Sequence, residues 1–171
     1  MRKIISFSNY SNFQVLDKMT DTTIKDPVSA CGLLLYRIKD GNLEVLLTKY
    51  RDKQWPCLDD FGGRIDIEDR TLEEASLRET YEESNSLIKF ENLKNCPKFY
   101  CKKLKYVCFL KQVESDFFDD CSVFGEKELF DDIYRRINWY KCGEKLVPKL
   151  SLRLRLNVEL IKGLKEISTK I

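Results

Sequence analysis

The sequence predicts an α/β protein, an α/β/α sandwich in which helical layers cover a central mixed β-sheet. Three observations support this fold: strand-like segments flank residues 71–84, that segment has the pattern of an amphipathic helix, and a second helical pattern closes the chain. A chain of 171 residues can bury a substantial core, and no internal repeat or low-complexity linker divides it. We therefore expect an N-terminal extension, residues 1–27, followed by one domain, residues 28–171.

The first predicted element pair is a β-hairpin. Residues 28–38 are mostly apolar and predict a strand. The segment 40–42 is Asp-Gly-Asn, which supplies the residue types of a tight turn, and residues 43–50 predict the returning strand.

A helix is predicted from about Thr71 to about Ser84. Thr71 and Glu74 have the spacing of a capping box, in which the side chains of both residues satisfy free amides at the helix start. Asn85 follows the helix, and Asn is the next best residue after Gly for a left-handed C-terminal cap.

The predicted helix carries three carboxylates on one face. At about 100° per residue, this face also includes Ala75, whose small side chain is expected to leave room for metal and phosphate. Leu77 and Tyr81 lie on the opposite side and are available for packing. The carboxylates follow Arg78 directly and have the offsets i, i+3 and i+4; they are Glu79, Glu82 and Glu83.

The remaining elements follow from local composition and periodicity. Residues 98–113 predict one or two strands, residues 114–132 an acidic loop with one helical turn, and residues 137–141 a last strand. After Pro148, residues 151–167 predict one helix whose core-facing stripe consists of Leu152, Leu156, Leu160 and Leu164.

The three carboxylates of the predicted helix favour a metal site. Like charges on one helix face repel each other, so a solvated helix gains nothing from this arrangement. A divalent cation resolves the conflict, because Mg²⁺ and Mn²⁺ prefer hard oxygen ligands, and magnesium sites usually combine carboxylates with water and substrate phosphates. The sequence therefore predicts Mg²⁺- or Mn²⁺-assisted chemistry on a phosphorylated substrate.

These residues resemble the Nudix box. The matching pattern is Gly62-Gly63, the acidic pair Glu68-Asp69, and then Arg78-Glu79-x-x-Glu82-Glu83. The resemblance implies a Nudix-type α/β/α fold and hydrolysis of a nucleoside diphosphate linked to another moiety. The chain departs from the family pattern in two places: the loop carries one extra residue, so Glu68 or Asp69 could take the loop position, and Asn85 stands where the family usually has Gly.

The resemblance also implies roles for individual residues. Arg78 would orient the carboxylates by pairing with Glu79 or with the loop acid near Asp69, since a bidentate guanidinium suits that function. Glu79 would additionally be the leading candidate for the general base. The implied metal ligands are the carbonyl of Gly63 and the side chains of Glu79, Glu82 and Glu83.

Further candidates lie outside the box. Three basic residues are candidates for substrate binding: Arg64, Lys103 and Lys105. Lys103 and Lys105, near tyrosines, could contact phosphate or stack on a base, although a solvated strand face is the favoured interpretation. In the acidic loop, Glu126 or Glu128 could supply a late metal ligand or base. The chain has no histidine, so any base must be a carboxylate, lysine, tyrosine, cysteine or metal-bound hydroxide.

A basic cluster at the start of the last helix, Lys149, Arg153 and Arg155, has two interpretations. It is either ordinary surface charge or a contact for an anionic substrate.

Composition restricts the class of protein. A net charge of +2 does not favour bulk binding of nucleic acid. The seven cysteines contain no Cys-x-x-Cys pair, and without histidine a mixed zinc site is excluded, so we expect reduced, mostly buried thiols. No segment has the apolar run of a signal peptide or a membrane span, so we expect a cytoplasmic protein without a membrane partner.

Two functions from different classes remain open. The first is a pyrophosphohydrolase that acts on a phosphorylated small molecule, such as a nucleotide or dinucleotide, or on an RNA cap. The second is a non-catalytic Nudix-fold module that binds nucleotides or RNA. A globular domain without metal chemistry is the simplest remaining interpretation, and the resemblance also allows a homodimer.

Overall fold

The computed structural model describes residues 28–51 and 57–171. The predicted N-terminal extension, residues 1–27, lies outside the described residues, so its separation from the domain stays a prediction.

The described residues form an eight-stranded mixed sheet. The strands are β1 Ala30–Lys39, β2 Asn42–Tyr50, β3 Leu58–Asp59, β4 Phe61–Arg64, β5 Lys98–Cys101, β6 Tyr106–Gln112, β7 Lys127–Glu128 and β8 Ile133–Lys141. The central strand β1 pairs in parallel with β6 and antiparallel with β2 and β4. The strand order along the sheet is β5-β6-β1-β2-β8-β7, with β3 on β2.

Helices cover both faces of the sheet. Their bounds are α1 Leu72–Glu83, α2 Leu152–Arg155 and α3 Val158–Ser168. Alternate residues of β1 point to opposite layers, as a strand requires. Leu33 belongs to the apolar cluster that includes Leu72 and Ala75 of α1, whereas Leu34 belongs to the cluster that includes Leu154 of α2 and Leu160 of α3. The predicted α/β/α sandwich is confirmed.

Several local predictions are also confirmed. The β1–β2 hairpin turns through Asp40 and Gly41, whose φ angles are 49° and 70°. Thr71 is the N-cap of α1: its hydroxyl accepts a 3.0 Å hydrogen bond from the Glu74 amide, and the Glu74 carboxylate accepts one from the Arg70 amide at 2.7 Å. Asn85 has the expected left-handed conformation, with φ 56°.

The predicted continuous C-terminal helix is wrong. The chain forms two helices, α2 and α3, because Asn157 interrupts the helical pattern between them. The Asn157 carboxamide accepts from the Leu160 amide at 3.2 Å and donates to the Phe99 carbonyl at 2.9 Å, so this side chain caps α3 and ties it to β5. The predicted stripe holds at Leu160 but not at Leu152, which is 55% exposed.

The faces of α1 also differ from the prediction. Ala75 is fully buried in the core, so it leaves no open space for a metal or phosphate, and Tyr81 is exposed rather than packed. The carboxylate face of α1 is therefore the face turned toward the sheet. The strand predictions hold with changed bounds: residues 98–113 contain two strands, β5 and β6, and β8 begins at Ile133 rather than Ile137.

The sheet splits beside β1. Residues 30–33 of β1 pair with β4, whereas residues 35–39 pair with β2. The segment β3–β4 occupies the opening, with Thr48 of β2 opposite Asp59 of β3 and Leu33 of β1 opposite Phe61 of β4. This split brings Gly62 and Gly63 beneath α1.

All seven cysteines are free thiols, but only three of them, Cys31, Cys101 and Cys108, are buried, so the expectation of mostly buried thiols is not met. Burial raises the pKa of Cys31 and of Cys142 to about 12, so these thiols are poor nucleophiles near neutral pH. The described helices include none of the length and apolar character needed to cross a bilayer.

Candidate functional site

Two of the three predicted carboxylates of α1 are held against the Gly62–Gly63 backbone. Glu79 and Glu83 are 8% and 7% exposed, whereas Glu82 lies closer to solvent. A Cβ atom at Gly63 would lie 2.5 Å from Glu79 Oε2. Glycine is therefore required at this position for the Glu79 carboxylate to lie where it does.

Glu83 is fixed by two hydrogen bonds. The Tyr50 hydroxyl donates to Oε1 at 2.7 Å, and the Gly62 amide donates to Oε2 at 3.1 Å. Burial raises the pKa of Glu83 well above its usual value, the charges of Glu79 and Glu128 raise it further, and the positive charge of Arg153 opposes this shift. A nearby cation would consequently stabilise the ionised form of Glu83.

Arg78 connects the loop to the helix. Its Nε and Nη2 donate to the two carboxylate oxygens of Asp69 at 3.0 and 2.8 Å, a bidentate pair. Its Nη1 donates to Glu79 at 2.8 Å and to Glu82 at 3.2 Å. Of the two loop acids left open by the sequence, Asp69 is thus the partner of Arg78, and the buried Asp69 also accepts from the Asp66 amide.

The two late-loop candidates have different environments. Glu126 is exposed and forms an ion pair with Arg136. Glu128 is 3% exposed, and its burial, followed by the charge of Asp131, raises its pKa to about 7. The negative charges of Glu79 and Glu82 also raise the pKa of Glu128, so Glu128 interacts electrostatically with the carboxylates of α1.

Arg135, which sequence reasoning missed, lies behind this acidic group. It is 1% exposed, and its guanidinium donates to the Glu83 carbonyl at 2.6 Å and to the carbonyls of Phe124 and Gly125 at 3.2 and 3.1 Å. A cation at the last turn of α1 also suits the negative end of the helix dipole. The sequence signal for this role was weak: Arg135 and Arg136 form a pair of charged residues just before the predicted strand at residues 137–141.

The predicted basic residues lie at one end of the sheet. Lys103 and Lys105 belong to the tight connection between β5 and β6, and the Ser29 amide donates to the Lys105 carbonyl at 2.9 Å. Ala30 pairs with Arg64 on one side and with Tyr106 on the other, so this connection and Arg64 share the same end. Their contact with a substrate stays a prediction.

Arg153 is neither free surface charge nor a free anion contact. Its Nε lies 2.7 Å from Asp59 Oδ1 and 2.9 Å from Asp60 Oδ1, and both acids are buried. The guanidinium also lies 4.9 Å from the centre of the Tyr106 ring. Arg153 therefore binds the β3–β4 segment from the α2 side of the sheet.

The carboxylate and carbonyl oxygens at this site are ligands that suit a hard divalent cation, although the side chains do not converge on one point. Among the described residues, no group of three or more acidic or thiol side chains is placed to hold a metal ion. Arg78 pairs with Glu79 and Glu82, so cation binding would require both carboxylates to turn away from it. Burial raises the pKa of Glu83 and of Glu128, nearby carboxylates raise both further, and a divalent cation would relieve this repulsion.

Comparison with solved structures identifies the fold. The Nudix domain of NrtR from Shewanella oneidensis, solved with ADP ribose, reaches a TM-score of 0.50 at 19% identity over 84% of this chain and 89% of that chain. An Ap4A hydrolase from C. elegans reaches 0.49 at 21% identity over 82% and 96%. No protein-family model and no curated protein sequence matches the chain. The resemblance predicted from the box is confirmed as a Nudix fold.

Proposed function

We propose that this Nudix-fold protein is a metal-dependent hydrolase that cleaves a pyrophosphate bond in a nucleoside diphosphate-linked substrate. One observation supports this most strongly: the carboxylates of Glu79 and Glu83 are buried against the Gly62–Gly63 backbone, while Glu82 on the same helix face lies closer to solvent, the side from which water and substrate phosphate would reach a cation. Burying two carboxylates on one helix face costs stability, and such arrangements concentrate at functional sites.

Each residue has a specific task in the proposed reaction. Glu79, Glu82 and Glu83, with the Gly63 carbonyl, would hold Mg²⁺ or Mn²⁺, which would neutralise charge on the phosphate oxygens and lower the pKa of the attacking water. Arg78 keeps Glu79 and Glu82 close to the Asp69 loop before a cation binds.

Glu128 is the proposed general base. The attacking water forms a bond to phosphorus, the bond from phosphorus to the bridging oxygen breaks, and the proton of the water passes to a carboxylate oxygen of Glu128. A pKa of about 7 suits a base that works near neutral pH. Glu79 is the alternative base implied by the box.

The substrate belongs to the same proposal. We expect a phosphorylated small molecule or an RNA cap, bound by a cytoplasmic protein, as a monomer or a homodimer. Arg64, Lys103 and Lys105 would contact its more distant phosphates.

The direct test is hydrolysis of a substrate panel in Mg²⁺ and in Mn²⁺. The panel contains deoxynucleoside triphosphates, ADP ribose, NADH, diadenosine polyphosphates, diphosphoinositol phosphates and capped RNA. Metal-dependent cleavage would support the enzyme. Binding of nucleotide or RNA without cleavage of any substrate would instead favour the non-catalytic module.

Gly63→Ala is expected to lower turnover about 10- to 100-fold with little loss of stability. The added methyl group would meet the terminal atoms of the Glu79 side chain, which can rotate away, so the fold survives while the carboxylate is displaced. Turnover and thermal unfolding would be measured together. Gly143→Ala is the matched control, because no atom lies within 4 Å of its added Cβ. Full turnover in Gly63→Ala would contradict the assigned position of Glu79.

A further inference from the structure

The side chain of Asn85 binds one segment of the chain with all of its polar atoms. Its Nδ2 donates to the carbonyls of Phe124 and Lys127 at 3.0 and 2.8 Å, and its Oδ1 accepts from the Leu129 amide at 2.9 Å. These bonds connect Asn85, two residues beyond the end of α1, to residues 124–129, the segment that carries Glu128. A glycine, which the Nudix pattern usually has at this position, could adopt the same backbone conformation but could make none of these bonds.

The three bonds bracket Glu128. Two of them involve the residues directly before and after it, so the backbone is fixed on both sides of the Glu128 Cα. The strand that contains it, β7, has only two residues and pairs with β8 at Lys127–Tyr134 and Glu128–Ile133. Because so short a strand forms few ladder bonds, side-chain bonds from outside the sheet have a large share in fixing its position.

Arg135 supports the same segment from the sheet. It donates to the carbonyls of Phe124 and Gly125 and also to the carbonyl of Glu83 at the end of α1. The end of α1 and the 124–129 segment are therefore joined twice, by the Asn85 carboxamide and by the Arg135 guanidinium.

We propose that Asn85 is a positioning residue that holds Glu128 toward the carboxylates of α1. The proposal rests on the proposed function, in which Glu128 takes the proton of the attacking water. Asn85 does not touch substrate in this scheme. Its contribution is to keep the distance between Glu128 and Glu79 constant, so that a base on a short edge strand acts with the precision of one on a rigid element.

The structural part of the proposal is tested by amide hydrogen exchange in Asn85→Gly. Glycine tolerates φ 56° at least as well as asparagine, so the variant should fold and keep α1 intact. Loss of one hydrogen bond is expected to speed exchange of the Leu129 amide roughly 5- to 10-fold. Ser86→Gly is the matched control: Ser86 is exposed, has φ 68°, and its hydroxyl makes no hydrogen bond within the described part of the chain. An unchanged exchange rate of the Leu129 amide in Asn85→Gly would show that Asn85 does not hold the 124–129 segment.

The catalytic part is tested by kinetics on the preferred substrate of the panel. Asn85→Gly is expected to lower kcat about 10-fold with KM within about twofold, because geometry at the base changes and substrate contacts do not. In a Glu128→Gln background, the same substitution should lower kcat no further, since the group it positions is already absent.

The outcomes separate the two proposals. Wild-type kcat in Asn85→Gly, or a full additional loss in the Glu128→Gln background, would overturn the positioning role while leaving the hydrolase assignment intact. Absence of any hydrolysis by the wild type would overturn the proposed function and the catalytic part of the inference together. The Leu129 exchange comparison would still decide whether Asn85 holds the 124–129 segment.

Discussion

Glu82→Gln is expected to hydrolyse the preferred substrate at least ~100-fold more slowly than the wild type, because loss of one metal-binding charge removes several kcal/mol of transition-state stabilisation. Its unfolding temperature should change little. Glu82 is the least buried of the three α1 carboxylates, and glutamine preserves its shape and an acceptor for the Arg78 guanidinium. Glu83→Gln should lose comparable activity but also some stability, since both Glu83 oxygens accept buried hydrogen bonds.

Steady-state turnover in Mg²⁺ and Mn²⁺, with thermal unfolding in the presence and absence of each metal, checks this prediction. The wild type should be stabilised by the metal, and Glu82→Gln should be stabilised less. Glu159→Gln is the matched control, because Glu159 is an exposed acid on α3, in the opposite helical layer, and pairs only with Lys162 among the described residues. Wild-type turnover in Glu82→Gln would show that this carboxylate does not hold the metal.

The parts of the fold that were predictable depend on neighbours in sequence. Helix α1 starts at its capping box, because Thr71 and Glu74 satisfy amides only a few residues away. The β1–β2 hairpin likewise follows from a turn sequence that tolerates positive φ. In both cases the residues that decide the structure lie within one turn of the element, so periodicity and turn chemistry are sufficient.

The failures involve partners distant in sequence. The C-terminal helix breaks at Asn157, whose side chain donates to Phe99, 58 residues earlier. The burial of the α1 carboxylate face depends on the Gly62–Gly63 strand in the sheet split, a tertiary feature that helical periodicity cannot report. Ala75 therefore lies on the predicted helix face, but that face packs against the core instead of lining an open site.

In the candidate site, too, features that depend on nearby residues were predictable and features that depend on distant contacts were not. The box fixed which carboxylates share a helix face, since that depends only on helix geometry. The extra loop residue left Glu68 and Asp69 equivalent in the sequence, and the bidentate contact with Arg78 distinguishes them. The choice between Glu126 and Glu128 needed the pairing of β7 with β8, which turns one acid inward and leaves the other in solvent.

Arg153→Met is expected to lower the free energy of unfolding by about 3–5 kcal/mol, the usual result of removing one partner from a buried ion pair. Arg153 contacts the carboxylates of Asp59 and Asp60 and donates to the Asp60 carbonyl at 3.0 Å. Ser151 and Tyr106 also donate to these carboxylates, at 2.6 Å each, but neither brings a positive charge. Methionine fills similar volume, so the loss would come from uncompensated charge rather than from a cavity.

Urea and thermal unfolding measure this loss, which should lower the unfolding temperature by about 2–4 °C per kcal/mol in a domain of this size. Arg155→Met, two residues along the same short helix, should change stability little because Arg155 is exposed. Adding Asp60→Asn to Arg153→Met should restore part of the loss if unpaired charge is its cause, and no restoration would show that the cause is packing. Asp59 and Asp60 directly precede Gly62 and Gly63 in the chain, so a restored double variant with low turnover would mean that the Arg153–Asp60 pair also positions the backbone against which Glu79 and Glu83 lie.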